Sequence, residues 1–315
     1  MKSNRLQHIK EYYFSGKLQE ITRLQSEGHP VINLGIGSPD LPPPEKVRKS
    51  MAEYALRDDA HQYQSYRGHP ELRQAIAGFY RRHYAVKISP DTEILPLTGS
   101  KEGIMHLSMA LLNQGDEVLI PNPGYMTYRS ATLVAGAVPV PYNLKEENGY
   151  LPDFDELEKQ DLSRVKMMWV NYPHMPTGTQ ASKELFEKLV DFARRHQILL
   201  INDNPYSFIL TDQPMSILQI PDAMEVAMEL NSLSKSHNMA GWRVGMLLGR
   251  KDRIDTVMQF KSQMDSGMFL GTQMASIEAL NTGDEWFENL NKTYSIRKKV
   301  VHEICHQLGL KTGDK

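Results

Sequence analysis

Short apolar runs and stretches with helical periodicity alternate along most of the chain. Seven runs have the length and apolar character of β-strands: residues 94–97, 118–120, 137–140, 167–170, 198–201, 226–230 and 245–248. Amphipathic helical stretches lie between most of them, for example residues 103–112 and 183–196. This alternation predicts an α/β fold with a largely parallel sheet, and runs that are apolar on both faces predict helices on either side of it.

The pattern divides the chain into three parts. A loop rich in glycine and proline, residues 35–44, separates an N-terminal segment (1–44) from a large domain (45–282). Residues 283–315 predict a long helix, because apolar side chains recur there at spacings of three, four and seven, at Phe287, Leu290, Tyr294, Val301, Ile304 and Leu308. We expect this helix to lead into a smaller C-terminal domain that the chain contains only in part.

Charge balance and cysteine count limit the partners and the compartment. With 36 basic and 38 acidic residues the formal net charge is −2, which argues against nucleic acid or an anionic membrane as a partner. No stretch approaches the roughly 18 consecutive apolar residues of a membrane span. The single cysteine, Cys305, cannot form an internal disulfide, so a reducing compartment, the cytoplasm, is the expected location.

Polar side chains follow four of the predicted strands at the point where each strand ends. They are the segment 98–101, Asn171, Asp203 and the segment 232–235. Ligands of doubly wound sheets bind at the carboxyl ends of the strands, so we expect these residues to form one site. Individually, each has an ordinary explanation: a helix start, a loop residue, a helix cap or a solvated surface lysine.

If these residues form one site, they can also act together in binding and catalysis. The helix that follows 98–101 could hold a phosphate at its N-terminus, and Arg243 could clamp that phosphate. A buried Lys235 would lose its proton more readily and become a nucleophile towards carbonyl compounds.

Several motifs, in the same order along the chain, resemble those of the class I and II aminotransferases, which are pyridoxal-5′-phosphate (PLP) enzymes. Ser232-x-Ser-Lys235-x-x-x-Met-x-Gly-Trp-Arg243-x-Gly resembles their lysine signature. The other motifs are Asn33-Leu-Gly-Ile-Gly-Ser-Pro-Asp40, Tyr63-x-x-Tyr-x-Gly-x-Pro-Glu-Leu-Arg73, Thr98-Gly-Ser-Lys101, Pro123-Gly-Tyr125, Pro176-Thr-Gly178 and Asp203-x-x-Tyr206. The resemblance implies PLP-transferase fold type I: a mostly parallel seven-stranded sheet flanked by helices, with a smaller domain that is incomplete here.

The resemblance also implies roles for individual residues. Lys235 forms the Schiff base (aldimine) with the cofactor, Asp203 pairs with the ring nitrogen, and Tyr206 binds the ring oxygen. Other residues hold the cofactor ring and phosphate or approach the substrate: Tyr125 stacks on the ring, Gly99, Ser100, Lys101, Ser232 and Arg243 hold the phosphate, and Gly37 lies beside the substrate carboxylate. Tyr63 matches a tyrosine that reaches the phosphate of a neighbouring subunit, which implies a homodimer.

The chain departs from the family pattern in two places. Where the family usually has Asn-Pro-Thr-Gly, this chain has Met175, which cannot donate a hydrogen bond to the ring oxygen. Tyr206 then acts alone, or Asn171 or His174 substitutes for the asparagine. The family's arginine for the substrate α-carboxylate lies in the C-terminal domain, which we expect beyond Lys315.

The expected reaction is amino transfer between an L-amino acid and a 2-oxo acid. Two alternatives stay open: another PLP reaction on the same fold, such as β-elimination from a sulfur amino acid, and a PLP-binding protein that is impaired because the C-terminal segment is missing. No metal is expected, because the spacing of the histidines, including His61, His69, His83, His106, His196 and His237, is not that of metal ligands.

Overall fold

The computed structural model describes residues 3–7, 9–35 and 37–313, in which seven strands form one sheet. The strands are β1 (Ile94–Leu97), β2 (Glu117–Asn122), β3 (Val138–Asn143), β4 (Val165–Val170), β5 (Leu199–Asp203), β6 (Ala227–Ser232) and β7 (Gly245–Leu248). Their order across the sheet is β1-β7-β6-β5-β4-β2-β3. Strand β7 runs antiparallel to both neighbours, and the other neighbouring pairs are parallel. The predicted α/β fold with a mostly parallel sheet is confirmed.

The edge strand β3 differs most from its predicted bounds. The apolar run predicted residues 137–140, whereas the strand begins at Val138 and continues to Asn143 through Pro139 and Pro141. Proline cannot donate a hydrogen bond to a neighbouring strand, so the pattern argued for an early end. Because β3 pairs only with β2, the missing N–H groups leave the sheet intact.

Helices cover both faces of this sheet. They are α1 (Tyr13–Ser26), α2 (Glu45–Ala55), α3 (Pro70–Tyr84), α4 (Ser100–Leu111), α5 (Met126–Val134), α6 (Phe154–Glu158), α7 (Lys183–His196), α8 (Leu233–Ser236), α9 (Lys251–Lys261), α10 (Leu270–Leu280) and α11 (Asp284–Gln307). Short 3-10 turns occur at Asn4–Leu6, Asp58–His61, Glu146–Asn148, Ile217–Gln219, Ala223–Glu225 and Ala240–Trp242. In the described part of the chain, no helix is both long and apolar enough to cross a membrane.

The sheet separates two apolar cores. Successive side chains of a strand point to opposite faces, so Leu200 packs into one core and Ile201 into the other. The first core contains the inner faces of α3, α7 and α10, and the second contains those of α4, α5 and α9. With apolar side chains buried on both faces, the strands form a rigid platform whose carboxyl edge can hold side chains at fixed positions.

The long helix α11 packs against the core only at its beginning. Phe287 and Leu290 are buried, and the Phe287 ring stacks on Phe208 with ring centroids 4.3 Å apart. Further along the same stripe, Val301 and Ile304 are 54% and 50% exposed. The predicted helix is confirmed, and its second half extends away from the large core.

Candidate active site

A cavity of about 220 Å³ opens at the carboxyl edge of the sheet, where β4, β5 and β6 end and α4 begins. Most of the residues predicted for the site line this cavity: Ser100, Lys101, Tyr125, Asn171, Asp203, Tyr206, Ser232, Lys235 and Arg243. Tyr128, Met175, Pro205, Ser234 and Ala240 complete its wall. Segments that are far apart in the sequence therefore meet at one place, because β1, β2, β4, β5 and β6 run in the same direction and end at the same edge of the sheet.

Three predicted residues lie outside the cavity wall. Gly99 precedes the first residue of α4 with a φ of 87°, and its Cα faces the guanidinium of Arg243 so closely that a β-carbon would collide with it. The Gly37 carbonyl accepts a hydrogen bond from Lys235 Nζ at 2.7 Å. Tyr63 is 92% exposed and does not line the cavity of its own chain.

Helix α4 begins at Ser100, three residues before the predicted start at residue 103. The first turn is polar and lacks the apolar periodicity that marked the rest of the helix. Its backbone N–H groups and the positive end of the helix dipole therefore lie at the cavity, beside the side chains of Lys101 and Arg243. This end of the cavity is suited to an anion.

Lys235 reaches the cavity from the turn that follows β6. The Ser232 hydroxyl oxygen accepts a hydrogen bond from the Ser234 N–H at 3.1 Å, which starts the short helix α8 that carries the lysine. Burial lowers the pKa of Lys235, and the guanidinium of Arg243 lowers it further. A half-buried amine with a lowered pKa is more readily neutral and nucleophilic.

Asp203 is the last residue of the central strand β5, and one of its two carboxylate oxygens accepts a hydrogen bond. Its Oδ2 accepts a hydrogen bond from the Tyr128 hydroxyl at 2.9 Å, and the Tyr128 ring stacks on Trp169. Its Oδ1 is buried and has no hydrogen-bond donor among the described residues. Burial raises the pKa of Asp203 to about 7, and the nearby carboxylate of Glu229 contributes to that rise. A hydrogen-bond donor beside Oδ1, above all a positively charged one, would stabilise the ionised side chain.

Tyr206 and the two residues considered as substitutes for the missing asparagine, Asn171 and His174, differ in whether they can donate a hydrogen bond to a ligand. Asn171 donates to the Asp203 carbonyl at 2.5 Å and accepts from the Met175 N–H at 2.9 Å, so both ends of its amide bind the protein. His174 pairs with Thr177 at 2.8 Å and lies outside the cavity wall. Tyr206 lines the cavity, its hydroxyl makes no hydrogen bond within the described residues, and burial raises its pKa to about 12. Of the three, only Tyr206 presents a free donor to the cavity.

Two aromatic residues at the site were missed by the sequence reasoning. Tyr128 lies one helical turn after Tyr125, so the shared face of α5 was the available signal. Tyr12 comes from the N-terminal segment, and its ring centroid lies 3.8 Å from Lys101 Nζ. No spacing in the sequence connects residue 12 with residue 101, since only tertiary packing brings them together.

Gly245 explains why β7 can pass close to the start of α4. A β-carbon at residue 245 would lie 2.6 Å from both the Gly99 carbonyl carbon and the Ser100 nitrogen. Both are backbone atoms, so no side-chain rotation can relieve the contact. The absence of a side chain at Gly245 therefore sets the position of the turn that begins α4.

We expect Gly245→Ala to displace the Gly99–Ser100 turn and to destabilise the fold by about 1–3 kcal/mol, as overpacking does. Phosphate-containing ligands should bind more weakly because the N–H groups of that turn shift. Gly241→Ala is the matched control, because a β-carbon there meets no atom within 4 Å. Urea unfolding and isothermal titration with PLP measure both effects. Equal behaviour of the two variants would refute this account of the turn.

The donor set of the cavity fits PLP. The α4 N-terminus, Lys101 and Arg243 suit its phosphate, and the Lys235 amine suits its aldehyde. The buried Oδ1 of Asp203, which has no donor among the described residues, suits a protonated ring nitrogen. A mostly parallel seven-stranded sheet with this site at its carboxyl edge defines a PLP-dependent enzyme of fold type I.

Comparison with known proteins identifies the family. The sequence pattern described as aminotransferase class I and II matches residues 29–315, and the chain belongs to that family. It is 40% identical over 310 residues to the LL-diaminopimelate aminotransferase of Aquifex aeolicus, covering 98% of this chain and 80% of that protein. The structure of apo-BacF from Bacillus subtilis has a TM-score of 0.95 at 38% identity and covers 99% of this chain and 80% of that chain.

A mutant of the Thermus thermophilus aspartate aminotransferase is also similar, with a TM-score of 0.92 at 28% identity, covering 99% of this chain and 81% of that chain. The chain is therefore a PLP-dependent aminotransferase, and the predicted fold type, cofactor and reaction class are confirmed. Its substrates are amino acids and 2-oxo acids.

The raised pKa of Asp203 predicts an unusual pH dependence for the cofactor-free protein. The unfolded carboxyl ionises near its ordinary pKa of 3.8 and the folded one at about 7, so folded-state stability falls as the pH rises between these values. Asp203→Asn keeps the Tyr128 contact and cannot ionise. We expect the cofactor-free variant to be more stable than the cofactor-free wild type by on the order of 4 kcal/mol at pH 8. The difference should nearly vanish at pH 4. Urea unfolding at both pH values measures it, and a pH-independent difference would contradict the assignment.

Proposed function

We propose that Lys235, Asp203 and Tyr206 carry the amino transfer of this enzyme. One observation supports this most directly: the Lys235 amine and the Asp203 oxygen that lacks a donor within the described residues line the same small cavity. Lys235 exchanges a proton with the substrate α-carbon, Asp203 supplies a negative charge to the ring nitrogen, and Tyr206 donates a hydrogen bond to the ring oxygen.

When bound, PLP supplies an aldehyde that accepts the amino group and a ring that withdraws electrons from the substrate α-carbon. The protein positions the reacting groups and shifts their pKa values. Burial and Arg243 keep the pKa of Lys235 below its ordinary value, so the amine can accept a proton. The cofactor would carry the amino group that an amino acid gives up and a 2-oxo acid receives, so each turnover would balance.

The phosphate end of the proposed cofactor site consists of Gly99, Ser100, Lys101, Ser232 and Arg243. Lys101 and Arg243 bring positive charge, and burial together with Arg243 lowers the pKa of Lys101. An anion between these cations would relieve their mutual repulsion. Tyr125 provides a stacking surface, and Gly37, whose carbonyl accepts from Lys235, lies where the substrate would approach.

For the amino donor, we propose LL-diaminopimelate as the first candidate. The Aquifex aeolicus and Natranaerobius thermophilus enzymes that bear this name are 40% and 38% identical to 98% of the chain. A panel of amino acids that includes LL-diaminopimelate, assayed with several 2-oxo acids, tests the assignment. Faster turnover of an amino acid that differs from LL-diaminopimelate in length or charge would contradict this assignment.

We also propose the three-part organisation 1–44, 45–282 and 283–315. Helix α1 has no buried residue, and α11 buries only residues near its start. Apart from Phe287 of α11, the buried residues of the two cores belong to the middle part. The protein would act as a homodimer, with Tyr63 reaching the partner's phosphate site. Its single cysteine excludes an internal disulfide, which suits the cytoplasm.

Replacing Lys235 tests the central role. We expect Lys235→Ala to lower the transamination rate by a factor on the order of 1,000, because a positioned general base contributes that much. In the wild type, borohydride treatment and peptide mapping should find the cofactor on the Lys235 peptide. Product formation must also require a 2-oxo acid, which separates amino transfer from β-elimination.

Lys101→Ala is the matched control for this experiment, because Lys101 lines the same cavity and also has a lowered pKa. It should bind PLP more weakly, yet its cofactor should still be found on the Lys235 peptide. Cofactor attached to Lys101, or near-normal turnover by Lys235→Ala, would overturn the assignment.

Tyr63 provides a test of the homodimer. Its side chain is 92% exposed, close to the loop in which Gly267 packs against the backbone of Gln64 and Ser65. We expect light scattering to give the mass of a dimer. Tyr63→Phe should remain dimeric and bind PLP about 3- to 20-fold more weakly, the value of one or two hydrogen bonds. A monomer with normal PLP affinity would contradict both parts.

A further inference from the structure

Four titratable side chains form a cluster between α4 and α9, beside the turn that begins α4. Glu102 and His106 belong to α4, Lys261 is the last residue of α9, and Asp265 lies in the loop that follows. His106 and Lys261 are only 1% and 3% exposed, and none of the four lines the active-site cavity. A lysine is almost never fully buried unless it is paired, so the position of Lys261 depends on the carboxylates around it.

Glu102 connects this cluster to the turn that begins α4. Its Oε2 accepts a hydrogen bond from the backbone N–H of Thr98, which directly precedes Gly99 and Ser100. A glutamate in the first turn of a helix can reach back to a backbone N–H in this way, as in a capping box. The contact fixes the path of residues 98–102, the segment whose helix N-terminus lies at the anion end of the active-site cavity.

The other oxygen of Glu102 is held by the rest of the cluster. Oε1 lies 2.9 Å from His106 Nε2 and 3.9 Å from Lys261 Nζ. The Lys261 ammonium also donates to Asp265. An ionised carboxylate can only accept, so the hydrogen of the contact with His106 lies on Nε2. Turning Glu102 away would leave the buried ammonium with one carboxylate instead of two, which is unfavourable.

Glu102, His106 and Asp265 also lie close enough together to hold a metal ion, with ligand atoms within 4.8 Å of one another. The Lys261 ammonium, however, already supplies a positive charge to both carboxylates and would repel a second cation. The cluster is therefore better suited to holding Glu102 in place than to binding a metal.

We propose that Glu102 is a positioning residue for the phosphate end of the cofactor site. Its carboxylate holds the Thr98 N–H and thereby the turn that begins α4, and the rest of the cluster holds the carboxylate. This role requires the length of the side chain rather than its charge, because a negative charge by itself would oppose the binding of a phosphate. The inference rests on the proposed phosphate site, to which Arg243 belongs.

Two substitutions separate the length of the side chain from its charge. Glu102→Gln keeps the length and an oxygen that can accept from Thr98, whereas Glu102→Asp keeps the charge and is one methylene shorter. In the full chain freed of cofactor, we expect Glu102→Asp to weaken PLP binding about tenfold, as loss of a hydrogen bond to a charged group does. Glu102→Gln should bind PLP within about threefold of the wild type, or more tightly, because the acceptor is kept. Calorimetric titration measures both.

Pyridoxal separates an effect on the turn from a general change of the fold. It has the ring and the aldehyde of PLP but no phosphate, so its affinity should change by less than about twofold in either variant. Equal weakening of pyridoxal and PLP by Glu102→Asp would show a general structural effect and overturn the proposal. Unchanged PLP affinity in Glu102→Asp, or a loss in Glu102→Gln as large as that in Glu102→Asp, would also overturn it.

Glu93→Asp is the matched control for the shortened side chain. The Glu93 carboxylate also reaches back four residues, to the Ser89 N–H at 2.7 Å, but Glu93 directly precedes β1 and does not line the active-site cavity. This variant should bind PLP within about twofold of the wild type. Equal weakening by Glu93→Asp and Glu102→Asp would refute a specific role of Glu102.

Arg243→Met tests the proposed phosphate site separately from Glu102. It should weaken PLP binding about tenfold or more, because it removes a charged partner of the phosphate. If Arg243→Met has this effect and Glu102→Asp has none, the phosphate site stands and only the positioning role of Glu102 is wrong. Unchanged PLP affinity in Arg243→Met would refute the phosphate site and, with it, this inference.

Discussion

The buried carboxylate of Asp203 is the constraint around which this site is arranged. It ends the central strand β5, and one of its oxygens has no hydrogen-bond donor among the described residues. A charge in that position is costly, which is why the pKa of the side chain rises to about 7. A protonated ring nitrogen would supply both the missing donor and an opposite charge. Binding of the cofactor would thus stabilise a side chain that is unfavourable without it.

A second buried carboxylate, Glu229, lies beneath the sheet edge near Asp203. Glu229 on the neighbouring strand β6 is fully buried and accepts hydrogen bonds from Tyr80 at 2.8 Å and from Asn202 at 3.0 Å. Burial raises the pKa of Glu229 as well, and its charge opposes ionisation of Asp203. Two buried carboxylates on adjacent strands make the site less stable than an apolar one would be. The two apolar cores provide the rigidity that tolerates this cost.

The parts that the sequence predicted well are those in which one local signal determines the structure. Every strand of the sheet overlaps a predicted apolar run, because strands covered on both faces are largely apolar. Where that signal is absent, the bounds were less accurate: β3 continues through two prolines, and the polar first turn of α4 hides its start at Ser100. The role of Tyr12 beside Lys101 depends on tertiary packing alone, so no pattern could predict it.

Residues that a local signal predicts and residues that only tertiary packing positions also differ in their place at the site. Most residues around the active-site cavity follow strand ends, where the sequence motifs and the geometry of the sheet coincide. These residues could therefore be predicted individually from the sequence. A second cavity, with Met175, Tyr206 and Lys298 in its wall, is formed by loops and by α11, where Arg297, Lys298 and Lys299 read as one basic run. Successive residues of a helix point about 100° apart, so these similar residues enter three environments. Arg297 binds Asp40, Lys299 is exposed, and Lys298 lines the second cavity. The environment of each of these residues therefore depends on the packing of the helix, which the sequence alone does not reveal.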